Sequence, residues 1–398
     1  MLQVIPSAPI LPAIPMVSGR RDLGNGSGRF FRRLLLGLAA SCALARADQI
    51  EYSIYYFGDN GKNTVATSSF SLAKTLWQRT MVLLDVELDQ TTVPPLDGVT
   101  GASRPARQSK SAFRKNRGQI IGGVEQSLGD NTRLVGSYYF SQEVDYQSQA
   151  FIGGVTQDFA EKNFTVSLLG QYTMDSVGEI QANGSIVNQF KETHQASLGL
   201  TQLLSPTSVL RLGLDAMRVH GFQSDPYRKV PIPTADPLHD DTVTERHPDM
   251  RYRGAAWAEI SKYVGDIDGA FIVNYRYYRD DWGLATNTAT FTFNKYITKN
   301  WILSPNYRYY DQSGATFTEY TRGGTTVFDA ADYKLQTFGS NGAGASLTCF
   351  LRTFGRSHPD WDFLTNSSVA VEYFHYFNDV PGTHFTADLM EGRLRFSF

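Results

Sequence analysis

The chain ends in Leu394-Arg395-Phe396-Ser397-Phe398, a segment in which apolar and polar side chains alternate with a period of two. Successive side chains of a strand point to opposite faces, so this segment predicts a strand with one apolar and one polar face. A membrane-spanning strand of a β-barrel has this pattern, with lipid on one side and a polar lumen on the other. A soluble strand that ends in phenylalanine fits this single segment equally well, and the rest of the chain must decide.

The amino-acid composition favours the barrel. The chain has 398 residues, of which 25 are Phe and 21 are Tyr, and apolar residues make up only 41%. A soluble core of this size is usually richer in Leu, Ile and Val, whereas a barrel with a polar lumen and aromatic girdles needs fewer aliphatic side chains. No uninterrupted apolar run reaches the ~20 residues that a membrane-spanning helix requires. We therefore expect the membrane to be crossed by strands.

The beginning of the chain has the pattern of a secretory signal. A short apolar run from Leu34 to Ala45 follows Arg29, Arg32 and Arg33 and leads into Ala45-Arg46-Ala47. A basic region, an apolar region and an Ala-x-Ala site are the three parts of a cleavable signal peptide. We predict that residues 1–47 are a leader extension and signal peptide, and that residues 48–398 form the mature barrel.

Segments of period two recur along the mature chain between turn signals. Long polar connections near residues 93–116, 181–190, 225–247 and 312–333 alternate with short turns. Outer-membrane barrels have short periplasmic turns and longer extracellular loops. We predict an all-β fold, a single transmembrane antiparallel β-barrel of about sixteen strands within a range of 14–18, with both termini periplasmic because the number is even. The predicted strands are 49–57, 63–76, 80–92, 117–128, 132–145, 148–159, 163–178, 190–204, 208–223, 249–264, 269–281, 285–298, 301–313, 333–351, 367–378 and 386–398.

Charged side chains at alternate positions of apolar strands identify the predicted lumen face. An Arg or Lys facing lipid at mid-membrane costs about 2–4 kcal/mol, so such residues must point inward. The sequence Asn-Tyr-Arg-Tyr-Tyr occurs at 274–278 and again at 306–310. Its tyrosines suit an interfacial girdle, which turns the arginine between them toward the lumen. The predicted pore-lining residues are Asp85, Glu87, Asp89, Arg211, Asp215, Arg276, Arg308, Arg393 and Arg395.

The first long loop is strongly basic, with Asp97 as its one acid. A cluster of one sign focuses the local field, so the loop can form an anion-attracting vestibule or fold into the pore. Contact with lipopolysaccharide phosphates is another function of such a cluster. A solvated, mobile basic loop explains the same residues without any function. The predicted basic extracellular loop contains Arg104, Arg107, Lys110, Arg114, Lys115 and Arg117.

The loop from Asp225 to Asp249 contains acids and two histidines that could hold a divalent cation. Their spacing matches no defined site, so we predict no metal and no cofactor. The sequence contains no G-x-S-x-G elbow or comparable nucleophile signature, and we predict no catalytic residues and no enzyme activity. His194 and His375 are expected to be structural, and Cys349 is expected to be an inert thiol. The balance of 37 basic and 39 acidic residues argues against nucleic acid as a partner.

Six short segments stand out along the mature chain, at Leu96–Ser103, Ala160–Leu168, Leu204–Gly213, Ser224–Val230, Glu245–Asp249 and Tyr275–Gly283. Together they resemble a family of uncharacterised Gram-negative outer-membrane β-barrel proteins known only as a domain of unknown function. This resemblance implies a barrel in the cell outer membrane, in contact with its lipid and lipopolysaccharide, and no established reaction or solute. Phe398 resembles the C-terminal signal that the barrel-assembly machinery recognises. Members of the family tend to be encoded near thioredoxin-like and flavin-transfer proteins, which suggests an envelope redox partner.

Two functions from different classes are consistent with these features. The first is a porin-like passive channel for small polar or ionic solutes, selective through pore radius and rings of charge. The second is a structural sheath or docking barrel that holds an envelope electron-transfer protein. An outer-membrane enzyme is the weakest hypothesis because no catalytic constellation supports it.

Overall fold

The computed structural model describes residues 48–77, 79–93, 113–180, 185–226, 229–232, 241–317, 330, 332–357, 359–380 and 383–398. Sixteen antiparallel strands form one closed barrel, which confirms the predicted fold class and strand number. The barrel strands are β1 (Gln49–Asp59), β2 (Thr64–Leu76), β3 (Thr80–Val93), β4 (Phe113–Leu128), β5 (Thr132–Gln142), β6 (Tyr146–Phe159), β7 (Phe164–Ile180), β8 (Ile186–Ser205), β9 (Ser208–Gly221), β12 (Met250–Val264), β13 (Gly269–Asp280), β14 (Ala285–Thr298), β15 (Trp301–Gln312), β16 (Phe338–Phe350), β17 (Ser368–Val380) and β18 (Thr383–Ser397).

Two short strands lie outside the barrel. β10 (Lys229–Ile232) and β11 (Asp241–Thr244) pair with each other in the connection between β9 and β12. The predicted signal region, residues 1–47, lies outside the described residues. In the described part of the chain, no helix has both the length and the apolar character needed to cross a membrane.

The two faces of the barrel wall differ in polarity, as the period-two pattern predicts. On β9, Leu212 and Leu214 have 40% and 56% of their surface exposed. Arg211 and Asp215, on the opposite face of the same strand, form ion pairs with Glu259 on β12 and Arg276 on β13. We assign the face with the exposed apolar side chains to the outside, because lipid covers such a surface at no desolvation cost.

Tyrosines form a girdle on the outer face of β13 and β15. Tyr275 and Tyr277 on β13 are 48% and 40% exposed, and Tyr307 and Tyr309 on β15 are 47% and 43% exposed. Tyrosine prefers the membrane interface because its ring is apolar and its hydroxyl needs a polar partner. The hydroxyls of Tyr275 and Tyr307 donate to the neighbouring Asn287 and Asn341 side chains, at 2.6 Å and 2.7 Å. The predicted aromatic positions are therefore on the outer wall.

The connections at the two ends of the barrel differ in length, although less uniformly than the sequence suggests. The start of β1 and the end of β18 lie at the same end, which we call the turn end. Most turn-end connections are short, but the one between β16 and β17 contains α1 (Arg352–Ser357) and the 3-10 helix Pro359–Asn366. The opposite end, the loop end, has the long connections and also short ones, such as residues 60–63 and 143–145.

The C-terminal Phe398 is packed against the turn-end helical segment. Its backbone N–H donates to the Asp48 carbonyl at 3.1 Å, which continues the β1–β18 ladder by one residue. Its ring stacks on Phe363 with centroids 5.9 Å apart and an interplanar angle of 14°. Phe396 lies 6.2 Å from the same ring. The terminal residue thus has both a backbone and a side-chain anchor, while 59% of its surface remains exposed.

A buried cluster at the loop end holds the connections around β12, β13 and β15 together. We call it the Trp282 cluster. Trp282, Leu284, Ala315, Ala330 and Leu335 are all less than 9% exposed and pack against one another. The Trp282 indole N–H donates to the Met250 carbonyl at 2.9 Å. The barrel wall itself thereby anchors the loop-end connections.

Asp280 is the polar centre of the Trp282 cluster. One carboxylate oxygen accepts the backbone N–H groups of Trp282 and Leu284 at 3.1 Å and 2.9 Å. The other accepts the Tyr278 hydroxyl at 2.8 Å and the Arg251 Nε–H at 2.8 Å. The Arg251 guanidinium also lies over the Trp282 ring, 4.1 Å from its centroid. A fully buried carboxylate with these donors is satisfied, and removal of its charge would leave Arg251 buried without a counter-charge.

The first prediction concerns Asp280. Asp280→Asn removes half of a buried ion pair, a change that costs about 3 kcal/mol or more. We expect the sixteen-stranded wall to stay folded while the loop-end connections open, so that limited proteolysis between residues 313 and 337 accelerates by about tenfold or more. Asp281→Asn is the matched control, because Asp281 is the exposed neighbour and undergoes the same chemical change. Equal cleavage rates in the two variants would contradict the role given to Asp280.

The second prediction concerns the C-terminus. Phe398→Ala and Phe363→Ala both remove the ring stack, but only the first changes the terminal residue that resembles an assembly signal. We expect Phe398→Ala to lower the amount of folded barrel in outer-membrane fractions severalfold, and Phe363→Ala to have little effect. Folded barrel is measured as the fraction whose gel mobility changes on heating. Equal losses would mean that Phe398 acts through packing.

Candidate functional site: the inner wall of the barrel

All nine residues predicted to line the lumen lie on the inner face of the barrel. The strand register relates them directly, because inward residues pair with inward residues across each ladder. Asp89 is opposite Arg117, Arg211 is opposite Glu259, and Glu51 is opposite Arg395. The nine are Asp85, Glu87, Asp89, Arg211, Asp215, Arg276, Arg308, Arg393 and Arg395.

The first group of inner-wall charges joins β2, β3 and β4. The Arg117 guanidinium donates from Nε to Asp89 at 2.7 Å and from a terminal nitrogen to Glu87 at 3.0 Å. The Thr67 hydroxyl on β2 donates to Asp89 at 2.6 Å. A guanidinium that bridges two carboxylates neutralises part of their repulsion, which would otherwise be costly on a partly dehydrated wall. Asp85, which precedes Glu87 by two positions on β3, forms no ion pair within the described residues.

The predicted basic loop is divided by the structure. Arg104, Arg107 and Lys110 lie outside the described residues. Arg114, Lys115 and Arg117 are on β4, which begins at Phe113 and not at residue 117 as predicted. The extension has a physical cause: it places Lys115 opposite Thr91 and Arg117 opposite Asp89, so inward basic side chains reach inward acids. Assignment of these last three residues to a loop was wrong.

Lys115 is the most buried inner-wall cation among the residues that the structure describes. Its side chain is 7% exposed and pairs with Glu143 and with Asp145, the latter at 2.8 Å. Both acids lie in the loop-end turn between β5 and β6. Burial raises the pKa of the Glu143 carboxyl, and the nearby Lys115 ammonium opposes that shift. The turn is therefore held to β4 by a charge pair that little water reaches.

A second group of charges spans β9, β12 and β13. Arg211 donates to Glu259 on the adjacent strand at 2.7 Å. Arg276 on β13 reaches past β12 to Asp215 on β9, at 2.8 Å. Side chains two strands apart meet most easily on the concave side of a curved wall, in agreement with the inward assignment. The Trp257 ring covers Gly213 between them, where a Cβ would lie 2.1 Å from the ring.

A third group lies at the seam where the barrel closes. Arg395 on β18 donates to Glu51 on β1 at 2.7 Å. Arg393 donates to Glu391 at 2.6 Å and lies 3.5 Å from Glu51. The last strand and the first are thus joined by ion pairs on the inner face as well as by their backbone ladder.

Arg308 differs from the other predicted inner-wall arginines. Within the described residues no carboxylate lies within ion-pair distance of it, and its guanidinium lies 5.1 Å from the Tyr310 ring centroid. Its neighbour in the register is Gly342, which in turn faces Tyr376. Arg308 is therefore an inward cation with an aromatic surrounding and no counter-charge in the described wall.

The expected structural histidines face outward. The His194 ring packs on Tyr172 with centroids 4.7 Å apart. His375 lies 2.7 Å from Asp388, a partner from the next strand that the sequence did not identify, and Tyr373 donates to the same carboxylate at 2.6 Å. Cys349 is a free thiol on the outer face. Residues 233–240, which include His239 and Asp240, lie outside the described residues, and no group of metal ligands occurs in the rest.

The structure also brings together residues that the sequence did not connect. His247, from the predicted metal-ligand loop, lies 3.0 Å from Glu245 and 5.4 Å, centroid to centroid, from Trp282. Two of the segments that carry the family resemblance, Glu245–Asp249 and Tyr275–Gly283, therefore meet in the Trp282 cluster. Their common membership in the family resemblance was the one feature of the sequence that could have linked the two segments. No spacing rule links residues so far apart in the chain.

The barrel fold is similar to those of several solved outer-membrane proteins. A bacterial polysaccharide outer membrane secretin has a TM-score of 0.50 at 8% identity, with 89% of this chain and 99% of that chain covered. CdiB from Acinetobacter baumannii has a TM-score of 0.51 at 8% identity, with coverages of 87% and 60%. The siderophore receptor PirA from Pseudomonas aeruginosa has a TM-score of 0.44 at 10% identity, and the chain spans 56% of its length.

Such low identities establish the fold and nothing further. No curated protein matches the sequence. Residues 97–190 and 178–357 match a protein family described as "Protein of unknown function (DUF3570)". The matched residues extend from 97 to 357, more than half of the 398-residue chain, and the protein therefore belongs to this family.

Proposed function

We propose that the protein is a porin-like passive channel of the cell outer membrane for small polar or ionic solutes. The observation that carries this proposal is the continuity of charge along the inner wall. Ion pairs occur near the turn end, at Glu51 and Arg395, and near the loop end, at Lys115 and Glu143. A polar wall of this kind replaces part of the hydration of a passing ion, which an apolar lumen would not do.

The orientation in the membrane is part of the proposal. The turn end, with both termini, faces the periplasm, and the loop end faces the outside. The short connections at 129–131, 206–207 and 299–300 support this orientation, because periplasmic turns are short in outer-membrane barrels. The outward aliphatic residues and the tyrosine girdle are the surfaces that lipid would cover.

The proposed selectivity follows from the balance of inner-wall charge. An ion pair has little net field at the distance of a passing ion, because the two opposite potentials largely cancel. Arg308 has no ion-pair partner in the described wall, so its positive potential is not cancelled at contact distance as the potentials of the paired arginines are. We propose that this potential favours anions at that level.

The third prediction is that the purified protein conducts ions. Reconstituted alone in a planar bilayer, it should give discrete, ohmic current steps, since a passive channel needs neither energy coupling nor a second protein. Heat-denatured protein from the same preparation is the control. A silent bilayer together with stoichiometric copurification of an envelope redox protein would overturn the channel and favour the docking barrel.

The fourth prediction tests the Arg308 potential. Two unit charges 10 Å apart in water interact by about 0.4 kcal/mol, and 0.1 M salt reduces this about threefold. Arg308→Glu changes the wall by two charges, so we expect the ratio of anion to cation permeability to fall by about two- to threefold. The reversal potential in a salt gradient measures this ratio.

The matched control for Arg308→Glu is the double variant Arg276→Gln with Asp215→Asn. It removes both members of an ion pair from the same wall and leaves the net charge unchanged. We expect its reversal potential to equal that of the wild type. An unchanged value for Arg308→Glu as well would show that permeating ions do not pass this residue.

A further inference from the structure

The outer wall contains a row of polar and aromatic side chains on the loop-end side of the barrel. Tyr172, His194, Arg218 and Tyr252 lie directly opposite one another across β7, β8, β9 and β12. They share the outward face with Leu198 and Leu214, which are 37% and 56% exposed. Arginine on the lipid side of a barrel is expensive at mid-membrane and is tolerated near an interface.

The position of the arginines along their strands places them at such an interface. On β13, Arg279 is two residues beyond Tyr277 and four beyond Tyr275, toward the loop end. At about 3.4 Å per residue, it lies about 7 Å past the end of the tyrosine girdle. Lipid phosphates occupy this level, just beyond the hydrocarbon edge that the girdle marks.

Arg218 and Arg279 form no ion pairs on the described wall, because the acids near them are hydrogen-bonded to other groups. Both arginines are exposed and neither forms an ion pair within the described residues. Glu192 lies 3.5 Å from His220 and 3.4 Å from the Tyr172 hydroxyl. Asp281 accepts the Tyr252 backbone N–H at 2.9 Å. Both carboxylates are held by other donors, so neither forms an ion pair with Arg218 or Arg279 within the described residues.

The two arginines border a groove with a volume of about 960 Å³. Phe151, Tyr172, Tyr252 and Ala216 also line it. Between the two arginines the wall is the backbone of Gly254, which faces Ala216 on one side and Arg279 on the other. A Cβ on Gly254 would have no neighbour closer than 3.9 Å, so the space above it is open.

The register also gives the spacing of the two cations. Arg218 is level with Tyr252 on β12, and Arg279 is level with Gly254, two residues away on the same strand. Two strand spacings and a two-residue offset separate their Cα atoms by about 12 Å. Two flexible guanidiniums at this distance can both contact one phosphate group placed between them.

We propose that this groove binds a phosphorylated lipid of the outer leaflet, of the lipid A type. Arg218 and Arg279 hold the phosphate, and an acyl chain runs from it toward mid-membrane along the apolar wall beside Leu198 and Leu214. The order of groups on the wall matches the order in the lipid. The cations lie toward the loop end, where the phosphate would be, and the apolar side chains lie toward mid-membrane, where the acyl chain would be. The inference rests on the proposed orientation, in which the loop end faces the outside, and is independent of conduction.

Binding of purified lipid A to the detergent-solubilised barrel tests the proposal, with native mass spectrometry or thermophoresis as the readout. We expect Arg218→Gln with Arg279→Gln to weaken binding by about tenfold or more, since each charge-assisted hydrogen bond contributes substantially. Gly254→Leu should weaken binding too, because it fills the open space and changes no charge. Arg79→Gln with Lys162→Gln removes two exposed charges from the turn end and should leave the affinity unchanged.

Two further ligands distinguish a lipid phosphate from free inorganic phosphate as the bound group. Lipid A freed of its phosphates should bind at least about tenfold more weakly than intact lipid A. Inorganic phosphate alone should bind weakly and should not displace intact lipid A. Equal binding of the dephosphorylated lipid, full displacement by inorganic phosphate, or wild-type affinity in the Arg218 and Arg279 double variant would each overturn the proposal.

Discussion

Closure of the sheet through β1 and β18 is the constraint on which the other features depend. A membrane offers no water to unpaired strand edges, so each backbone group of the wall must find a partner in a neighbouring strand. The eleven pairs from Gln49↔Ser397 to Asp59↔Ala387 satisfy the two edges that would otherwise remain. Once the ring is closed, a shift of one strand by an odd number of residues relative to its neighbours would move its inward side chains to the outer face and its outward side chains to the inner face. The register irregularities, at Leu203/Ser205 and Tyr296/Thr298, both lie near the turn end, where they leave the alternation of the main wall intact.

The fixed alternation explains why the inner charges are paired as they are. Residues directly opposite each other in the ladder have Cβ atoms about 5 Å apart, which brings a long basic side chain within reach of an acid on the next strand. Arg211 with Glu259 and Arg395 with Glu51 are pairs of this kind. Arg276 with Asp215 instead crosses an intervening strand, and it does so where Gly213 leaves room for Trp257. Backbone register thus accounts for the Arg211 and Arg395 pairs, and local side-chain volume allows the Arg276 pair.

Sequence periodicity predicted the wall well and the ends poorly. Period two depends only on a strand having two different environments, so fold class, strand number and the inward faces of residues such as Asp85 and Arg276 could be read from one chain. The start of β4 was placed too late because Arg114 and Lys115 resemble loop residues when the acidic partners of Lys115 are not visible. The turn-end helical segment 352–366 has no period of two, and the predicted strands accordingly leave it unassigned. Asp280 and Trp282 form contacts with residues about thirty positions away, which neither propensity nor spacing encodes.

An arginine side chain has different surroundings on the inner face and on the outer face of the barrel. An arginine on the inner wall is surrounded by water and acids, and Arg117 or Arg393 lowers the electrostatic energy of carboxylates that must share a small space. In the proposed orientation an outward arginine near the loop end lies between hydrocarbon and lipid headgroups, and Arg218 and Arg279 form no ion pair within the described residues. Adjacent positions of one strand point to opposite walls, so Arg218 and Met217, or Arg279 and Asp280, experience these two environments within one residue of each other. Substitutions can therefore change lipid contacts without altering the lumen, provided that they leave the strand register unchanged.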